Sequence, residues 1–368
     1  MDGSIRVALV AGGAPNGTCG VADYTSRLSG SLASLGLDAP PARVRFAARP
    51  GTTAGLAGTG GGSSLDAFDV VHVQYPSLAF GVGPLPLIVA AAAGRPVVVT
   101  LHEFSRAHPL RRALMATLAR LADRVVFTSA FERERAGSWA RSAPVIPIAS
   151  NIEVCGGVPT RSTAGRDTVL FFGLHAPGKG LDEFLALVAQ RRARGDERRF
   201  VVLGDAVGEA FGREARARTE AAGAQWLGRA PVELVSAELG RARAAYLPYP
   251  DGASERRATL LAALAHGVPV VSTPGEAVTT ELAAVVALAA TVRDADAQLS
   301  ALDDDRRWAA CSRRGLDYAA ARSWAAVAGA HRELYGSLVG VRRRRRRLMR
   351  PLAAVVPLVV DRALPVGS

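Results

Sequence analysis

Short runs of consecutive apolar, mostly β-branched residues recur along the chain, and they restrict its fold more than any other feature. In the first half they are IRVALVAGG (5–13), DVVHVQY (69–75), PVVVTLH (96–102) and RVVFTS (124–129). In the second half they are DTVLFFG (167–173), RFVVLGD (199–205), AAYLPY (244–249) and PVVST (269–273). A strand with one wet face alternates apolar and polar residues, whereas a strand that is apolar at successive positions must be covered on both faces. Segments with helical spacing separate these runs, among them 23–36, 109–122, 182–195 and 208–223. ARVRFAAR (42–49) and APVIPIAS (143–150) are two further strand candidates, and PGTTAGLAGTGGGSS (50–64) reads as a flexible loop. Strand and helix in strict alternation predict a parallel sheet with helices on both sides. The cycle restarts after CGGVPTRSTAGR (155–166), a hinge-like stretch, so 368 residues divide into two doubly wound α/β domains. Ligands of such sheets sit at the carboxyl ends of the strands, and a cleft between the two domains is the expected site.

The charge balance looks at first like that of a nucleic-acid binder. The chain carries +12, but residues 341–368 hold eight arginines (342–347, 350 and 362) against Asp361, a net +7, which leaves +5 for the other 340 residues. No basic groove is implied, and nucleic acid is not expected as a partner. Three widely spaced cysteines (Cys19, Cys155, Cys311) give neither a disulfide framework nor metal-ligand spacing. Neither a signal peptide nor an apolar run long enough to span a bilayer is evident, so a cytoplasmic protein without a metal site is expected. Lys179 is the single lysine among 45 basic residues. In a chain so biased to arginine, its retention points to a tight site for a compact charge such as one facing phosphate.

Lys179 lies in FFGLHAPGKGLDEF (171–184), a strand, a glycine-containing loop and a helix. Gly173, Gly178 and Lys179 nearly spell a Walker A loop, but Gly180 stands where the magnesium-binding Ser or Thr belongs. A P-loop NTPase, a solvated turn and a phosphate-facing turn are the three readings. DGASERRATLLAALAHGVPVVSTPG (251–275) reads as a helix with Ser254 as N-cap, stopped by Gly267 and followed by a strand. Arg256 and Arg257 then fall in its first turn, where the helix dipole favours anions. Either they lie on a solvated face or they and the free N–H groups bind one.

Taken together these segments resemble the nucleotide-sugar glycosyltransferases of family 4. FFGLHAPGKGLDEFL is similar to that family's phosphate-contact turn, and DGASERRATLLAALAHGVPVVST to its donor helix and following strand. CGVADYTSRL, DVVHVQY, VVVTLHE, ADRVVFTS, VIPIASN and RSWAAVAGAHRELY match in order over roughly residues 5–340. The resemblance implies a GT-B fold of two Rossmann-like domains (1–155 for the acceptor, 156–321 for the donor). It also implies a helix over 322–340 that returns to the first domain, and a basic and apolar tail over 341–368. It implies a hexosyl transfer with retention of configuration from a nucleoside-diphosphate sugar, with no cofactor and no metal. Lys179 matches the family lysine on the diphosphate, while Leu174 occupies the place of its arginine. Ser254 and Ala262 stand where the family has two glutamates.

The resemblance assigns His102 and Lys179 to catalysis, and Arg256 is expected beside them from its place at the helix start, where it would stand in for the missing family arginine. Gly20, Lys179, Asp251, Ser254, Glu255, Arg256 and Arg257 are expected at the donor, and Asp23 and Asn151 at the acceptor. Each has a plainer reading: Gly20 as a turn, Asp23 as a helix start, His102 as a structural histidine. His72 reads as core. The acceptor is unknown, with a lipid-linked or polysaccharide acceptor suggested by the tail, whose residues 342–360 could lie on an anionic inner membrane face or be solvated. With both glutamates absent, a catalytically silent GT-B binding partner is the rival from another class.

Overall fold

The computed structural model describes residues 4–11, 20–46, 65–77, 80, 83–155, 165–339 and 358–362. They form two compact units, one of residues 1–148 and 324–368, the other of 149–323. The first contains β1 (Val7–Val10), α1 (Gly20–Ala33), β2 (Pro41–Phe46), β3 (Val70–Tyr75), α2 (Leu85–Ala92), β4 (Val97–Leu101), α3 (Pro109–Leu121), β5 (Arg124–Phe127) and α4 (Ala130–Ala136). The second contains β6 (Thr168–Phe172), α5 (Leu181–Arg192), β7 (Arg199–Leu203), α6 (Glu209–Ala221), β8 (Gln225–Gly228), α7 (Val232–Arg241), β9 (Ala242–Leu247), α8 (Ala258–Ala265), β10 (Val270–Ser272), α9 (Thr280–Ala283), β11 (Val286–Leu288), α10 (Val292–Ala301) and α11 (Asp305–Ala320). The chain then re-enters the first unit as α12 (Trp324–Gly336) and β12 (Leu358–Arg362).

Each unit holds one sheet. The strand orders are β12-β2-β1-β3-β4-β5 and β11-β10-β9-β6-β7-β8. All pairings are parallel except that of β12, which runs antiparallel to β2. The consecutive apolar runs behave as their composition requires: every residue of β1, β3, β4 and β6 is buried. At 25 cal/mol per Å² or so of apolar area, such doubly covered strands supply most of the drive for folding. Several helix starts are capped by local side chains. Ser129 accepts the Glu132 N–H at α4 (3.2 Å), Asp304 accepts that of Arg307 at α11 (2.7 Å), and Thr291 and Asp294 form a capping box at α10.

Three expectations from sequence are corrected. APVIPIAS is no strand: Val145 makes a single bridge to Phe127, and Pro144 and Pro147 lack the N–H groups a ladder needs. The donor-type helix begins at Ala258, with Arg257 as its N-cap residue, so Ser254 caps nothing and both arginines precede the first turn. The reason is tertiary: Gly252 (φ +84°) turns the chain, the Ala253 N–H donates to the Thr273 carbonyl (2.9 Å), and buried Glu255 faces α11. These contacts hold 252–255 off a helical path. Finally, residues 358–360, expected at a membrane or in solvent, belong to β12; residues 341–357, the loop 50–64 and most of the stretch 155–166 lie outside the described residues.

β12 covers the edge of β2 that would otherwise present an unpaired row of backbone donors and acceptors. The register runs from Leu358 opposite Phe46 to Arg362 opposite Ala42. Deleting residues 358–368 should therefore speed amide exchange in β2 strongly, while β3 and β4 keep their protection. Hydrogen–deuterium exchange of the two proteins, compared by peptide, measures this, and unchanged protection of 42–46 would contradict the pairing.

Candidate functional site

In the second unit the carboxyl ends of β6, β7 and β9 meet the amino end of α8. Gly173 follows β6 and donates its N–H to the Leu203 carbonyl at the end of β7 (3.0 Å). Gly204 follows β7 with φ +132°, and a Cβ there would lie 1.8 Å from the Gly173 carbonyl oxygen, so only glycine permits the approach. A Cβ on Gly173 would meet the Thr259 Cγ2 at 3.1 Å, in the first turn of α8. Gly180, the N-cap of α5, has φ +92°, and a Cβ would fall 2.2 Å from the Pro248 carbonyl oxygen past β9. The turn 173–180 is thus clamped on three sides, and no serine or threonine fits at position 180, as a Walker loop would require.

Lys179 sits on this turn, exposed, with no ion pair or side-chain hydrogen bond among the described residues. The arginines across from it are held differently. Arg257 pairs with Asp251 and lies over the Tyr249 ring (4.4 Å), whose hydroxyl in turn bonds the Thr259 hydroxyl (2.7 Å). Arg256 is half-buried. Glu255 is buried, and its carboxylate accepts from the Tyr318 hydroxyl (3.0 Å) and from Arg322 (3.0 Å). Burial first, and Glu255 second, push the Tyr318 hydroxyl well above its ordinary pKa, so it stays a donor. Ser254 is 4% exposed and its hydroxyl has no partner among the described residues. Ala262, one of the two positions where the resembling family has glutamate, is fully buried. The side chain of Arg257 does not cap α8, and the Leu260 N–H donates to the Tyr249 hydroxyl, which leaves the N–H groups of Ala258 and Thr259 for an anion.

Beside this cluster, a recess of about 360 Å³ opens at the ends of β7 and β8, lined by Gly204, Asp205, Ala206, Trp226, Gly228 and Arg229. His175 lies behind Trp226, buried between that ring and Phe171 (centroids 5.2 Å from each). Burial lowers its pKa to about 4, against the opposing pull of the Leu203 carbonyl and Asp205. The chain-level pattern offered a signal for the recess, since glycine follows β7 and ends β8 as it follows β6. Arg322 offered none, standing 67 residues from its partner Glu255.

The first unit places the other expected residues. Gly20 opens α1 with open space where a Cβ would be, so packing within this unit does not demand glycine. Asp23 lies in the first turn of α1 and pairs with Arg27 (3.5 Å). His102 follows β4. Its Nε2 bonds the Gln74 Oε1 (2.8 Å), and its ring meets Tyr24 edge-on (4.9 Å). Burial first and His331 second lower its pKa to about 3, so it is neutral. The loop beyond it is held by Glu132, fully buried on α4, which accepts the N–H groups of Phe104 and Ser105 (2.7 Å each). Asn151 is half-buried in a bend of the second unit. His72 is core, as its strand suggested, and bonded on both ring nitrogens. Among the described residues no helix is long and apolar enough to cross a membrane, and no cluster of three His, Cys, Asp or Glu side chains could hold a metal ion.

The buried histidines set the acid limit of stability. Unfolded histidine binds a proton near pH 6.5. His331, buried in the first unit, does so in the folded chain only at about 4 despite the opposing Val327 carbonyl. Its folded pKa is depressed, so the unfolded chain binds more protons between these values and stability is lost as pH falls from 6.5 towards 4. The slope is about 1.4 kcal/mol per pH unit per such histidine. Urea unfolding of His331→Gln between pH 7 and 4 should give a shallower acid limb than the parent; parallel limbs would contradict the burial of a neutral imidazole.

Residues 3–149 match the family described as glycosyl transferase 4-like domain, and residues 166–304 the family described as glycosyl transferases group 1. Among solved structures, a glycosyltransferase from Rickettsia africae superimposes with a TM-score of 0.63 at 12% identity, covering 92% of this chain and 99% of that one. Sucrose-phosphate synthase from Thermosynechococcus elongatus gives 0.60 at 15% identity, covering 91% and 99%. A glycosyltransferase involved in avilamycin A biosynthesis gives 0.52 at 21%, covering 91% and 98%. No curated protein sequence matches the chain.

Proposed function

Since the chain belongs to the family 4-like glycosyltransferases of GT-B fold, we propose that it moves a hexosyl group from a nucleoside-diphosphate sugar to an acceptor hydroxyl with retention of configuration and without a metal. The observation that carries this reading is the clamp of Gly204 on Gly173, Gly173 on Thr259 and Gly180 on Pro248, which sets the Lys179 turn against the start of α8. The diphosphate takes Lys179, Arg256, Arg257 and the first N–H groups of α8 as its counter-charges, and the base enters the recess at Trp226. Asp251 then acts through Arg257, which it orients. Glu255 acts through Arg322 and Tyr318, which fix the segment carrying the arginines. Ser254 offers its unpartnered hydroxyl to the donor.

In the transfer, the bond from the anomeric carbon to the leaving phosphate oxygen breaks and one to the acceptor oxygen forms on the same face. The acceptor's proton passes to the departing diphosphate. What the protein supplies is stabilisation of the charge that builds on the phosphate, which fixed cations and helix N–H groups do without rearranging. His102 and Gly20 are read at the sugar, and Asp23 and Asn151 at the acceptor.

The test is thermal stabilisation by UDP, GDP, ADP and TDP with and without EDTA. One diphosphate should raise Tm in both conditions. Lys179→Ala and Arg256→Ala should each weaken its binding by about 1.5–3 kcal/mol, roughly 10- to 100-fold in Kd. A second reading, a silent binding partner, draws on Ser254 and buried Ala262 in place of the family's two glutamates. It predicts diphosphate binding without turnover of any nucleotide sugar.

We read the acceptor as lipid-linked or a polysaccharide end, and the arginine run 342–347 as a contact for an anionic membrane, supported by the exposed Leu110 and by Arg112 and Arg120 on α3. Each cation near such a surface contributes about 1 kcal/mol. The protein should then sediment with phosphatidylglycerol vesicles but not with phosphatidylcholine vesicles, and lose this when 342–347 are deleted. Equal sedimentation of the deletion variant would sink the idea.

A further inference from the structure

The first sheet carries polar side chains where its neighbours are valine. His72 and Gln74 share one face of β3, two residues apart, and Thr100 and His102 stand two apart on and just beyond β4, with Gln74 directly opposite Thr100. Four hydrogen-bonding groups on one face of two central strands are costly to bury unless each finds a partner. His72 is fully satisfied: its Nδ1 meets the Tyr335 hydroxyl of α12 at 2.6 Å and its Nε2 the Thr100 hydroxyl at 2.8 Å. Gln74 sits between the two histidines, its Oε1 2.8 Å from His102 Nε2. Its amide nitrogen lies 3.2 and 3.4 Å from the two ring nitrogens of His72. Near-equal distances to both nitrogens put that amide group over the face of the ring, where N–H is attracted and a carbonyl oxygen would be repelled. The amide orientation is therefore fixed by His72, and with it the proton on His102. An oxygen facing Nε2 requires Nε2–H, which leaves the lone pair on Nδ1. No residue among those described bonds Nδ1.

We propose that Gln74 is a positioning residue that holds His102 in the Nε2–H tautomer, so that Nδ1 accepts a hydrogen bond from a substrate hydroxyl, and that Tyr335 of α12 braces the arrangement through His72. The inference rests on the reading of His102 at the sugar. It adds a direction to that contact: His102 takes a proton-bearing group and cannot donate to a ring oxygen or a phosphate. It also gives α12 a task at the site beyond packing, since a residue 263 positions along the chain from His72 sets the network's outer end.

The test uses the full-length protein labelled with ¹⁵N-histidine and long-range ¹H–¹⁵N correlation, with the His102 signal among six assigned by His102→Asn. The parent should show Nε2 protonated and Nδ1 bare. Gln74→Leu removes the acceptor and should give a mixture of tautomers. Tyr335→Phe should broaden or split the same signal. An Nδ1–H form in the parent, or an unchanged single tautomer in Gln74→Leu, overturns the proposal. In turnover, Gln74→Leu should lower kcat/KM on the order of tenfold or more, and an unchanged kcat/KM would overturn the proposal. The spectrum needs no substrate. It decides the proposal even if no nucleotide sugar is turned over, a result that would count against the transfer reading alone.

Discussion

At the carboxyl edge of the second sheet, two stretches of main chain touch with nothing between them. The Gly204 Cα and the Gly173 carbonyl are so close that a single methyl group would overlap the oxygen. This contact decides where the turn after β6 can go, and the turn's other end is fixed in the same manner by Gly180 against Pro248. A loop pinned at both ends loses little entropy when a ligand arrives, which is the physical meaning of a preorganised site. The exposed ammonium of Lys179 rides on that loop, so its position is set by backbone contacts and not by a partner of its own.

The charges around it are arranged in two tiers. Glu255 with Arg322, and Asp251 with Arg257, are pairs in which one member is already engaged inside the unit. Arg322 belongs to the turn between α11 and α12, so the segment bearing the arginines is tied to the place where the chain leaves the second unit. Glu255 and Arg322 are both largely buried, and breaking such a pair leaves a charge uncompensated, which is why these two residues are expected to matter beyond any contact with a donor.

Much of this was legible in the sequence, and the remainder was hidden for identifiable reasons. The parallel sheets follow from the uninterrupted apolar runs, and Lys179 stood out because it is the only lysine. Helix α8 was placed correctly at its end, where Gly267 acts locally, but three residues early at its start. Its start is governed by Gly275, Thr273 and Arg322, which lie 21 to 70 positions from Gly252 and which no local rule reads. APVIPIAS had the composition of a strand and the wrong hydrogen-bonding inventory. The pairing of His72 with Tyr335 could not be found by motif, because a histidine inside an apolar strand is most simply explained as core, and here it is core and network at once.

The route of the chain through its two units has a consequence for biosynthesis. The second unit is one uninterrupted stretch, 149–323, and can complete its core as soon as it clears the ribosome. The first unit begins the chain, yet α12 and β12 come from its last 45 residues. Until they arrive, the β2 edge is unpaired and His72 lacks the Tyr335 hydroxyl. The domain made first is therefore finished last, and during translation it is the nascent first unit, with an open sheet edge and a buried polar face half-satisfied, that has most need of a chaperone.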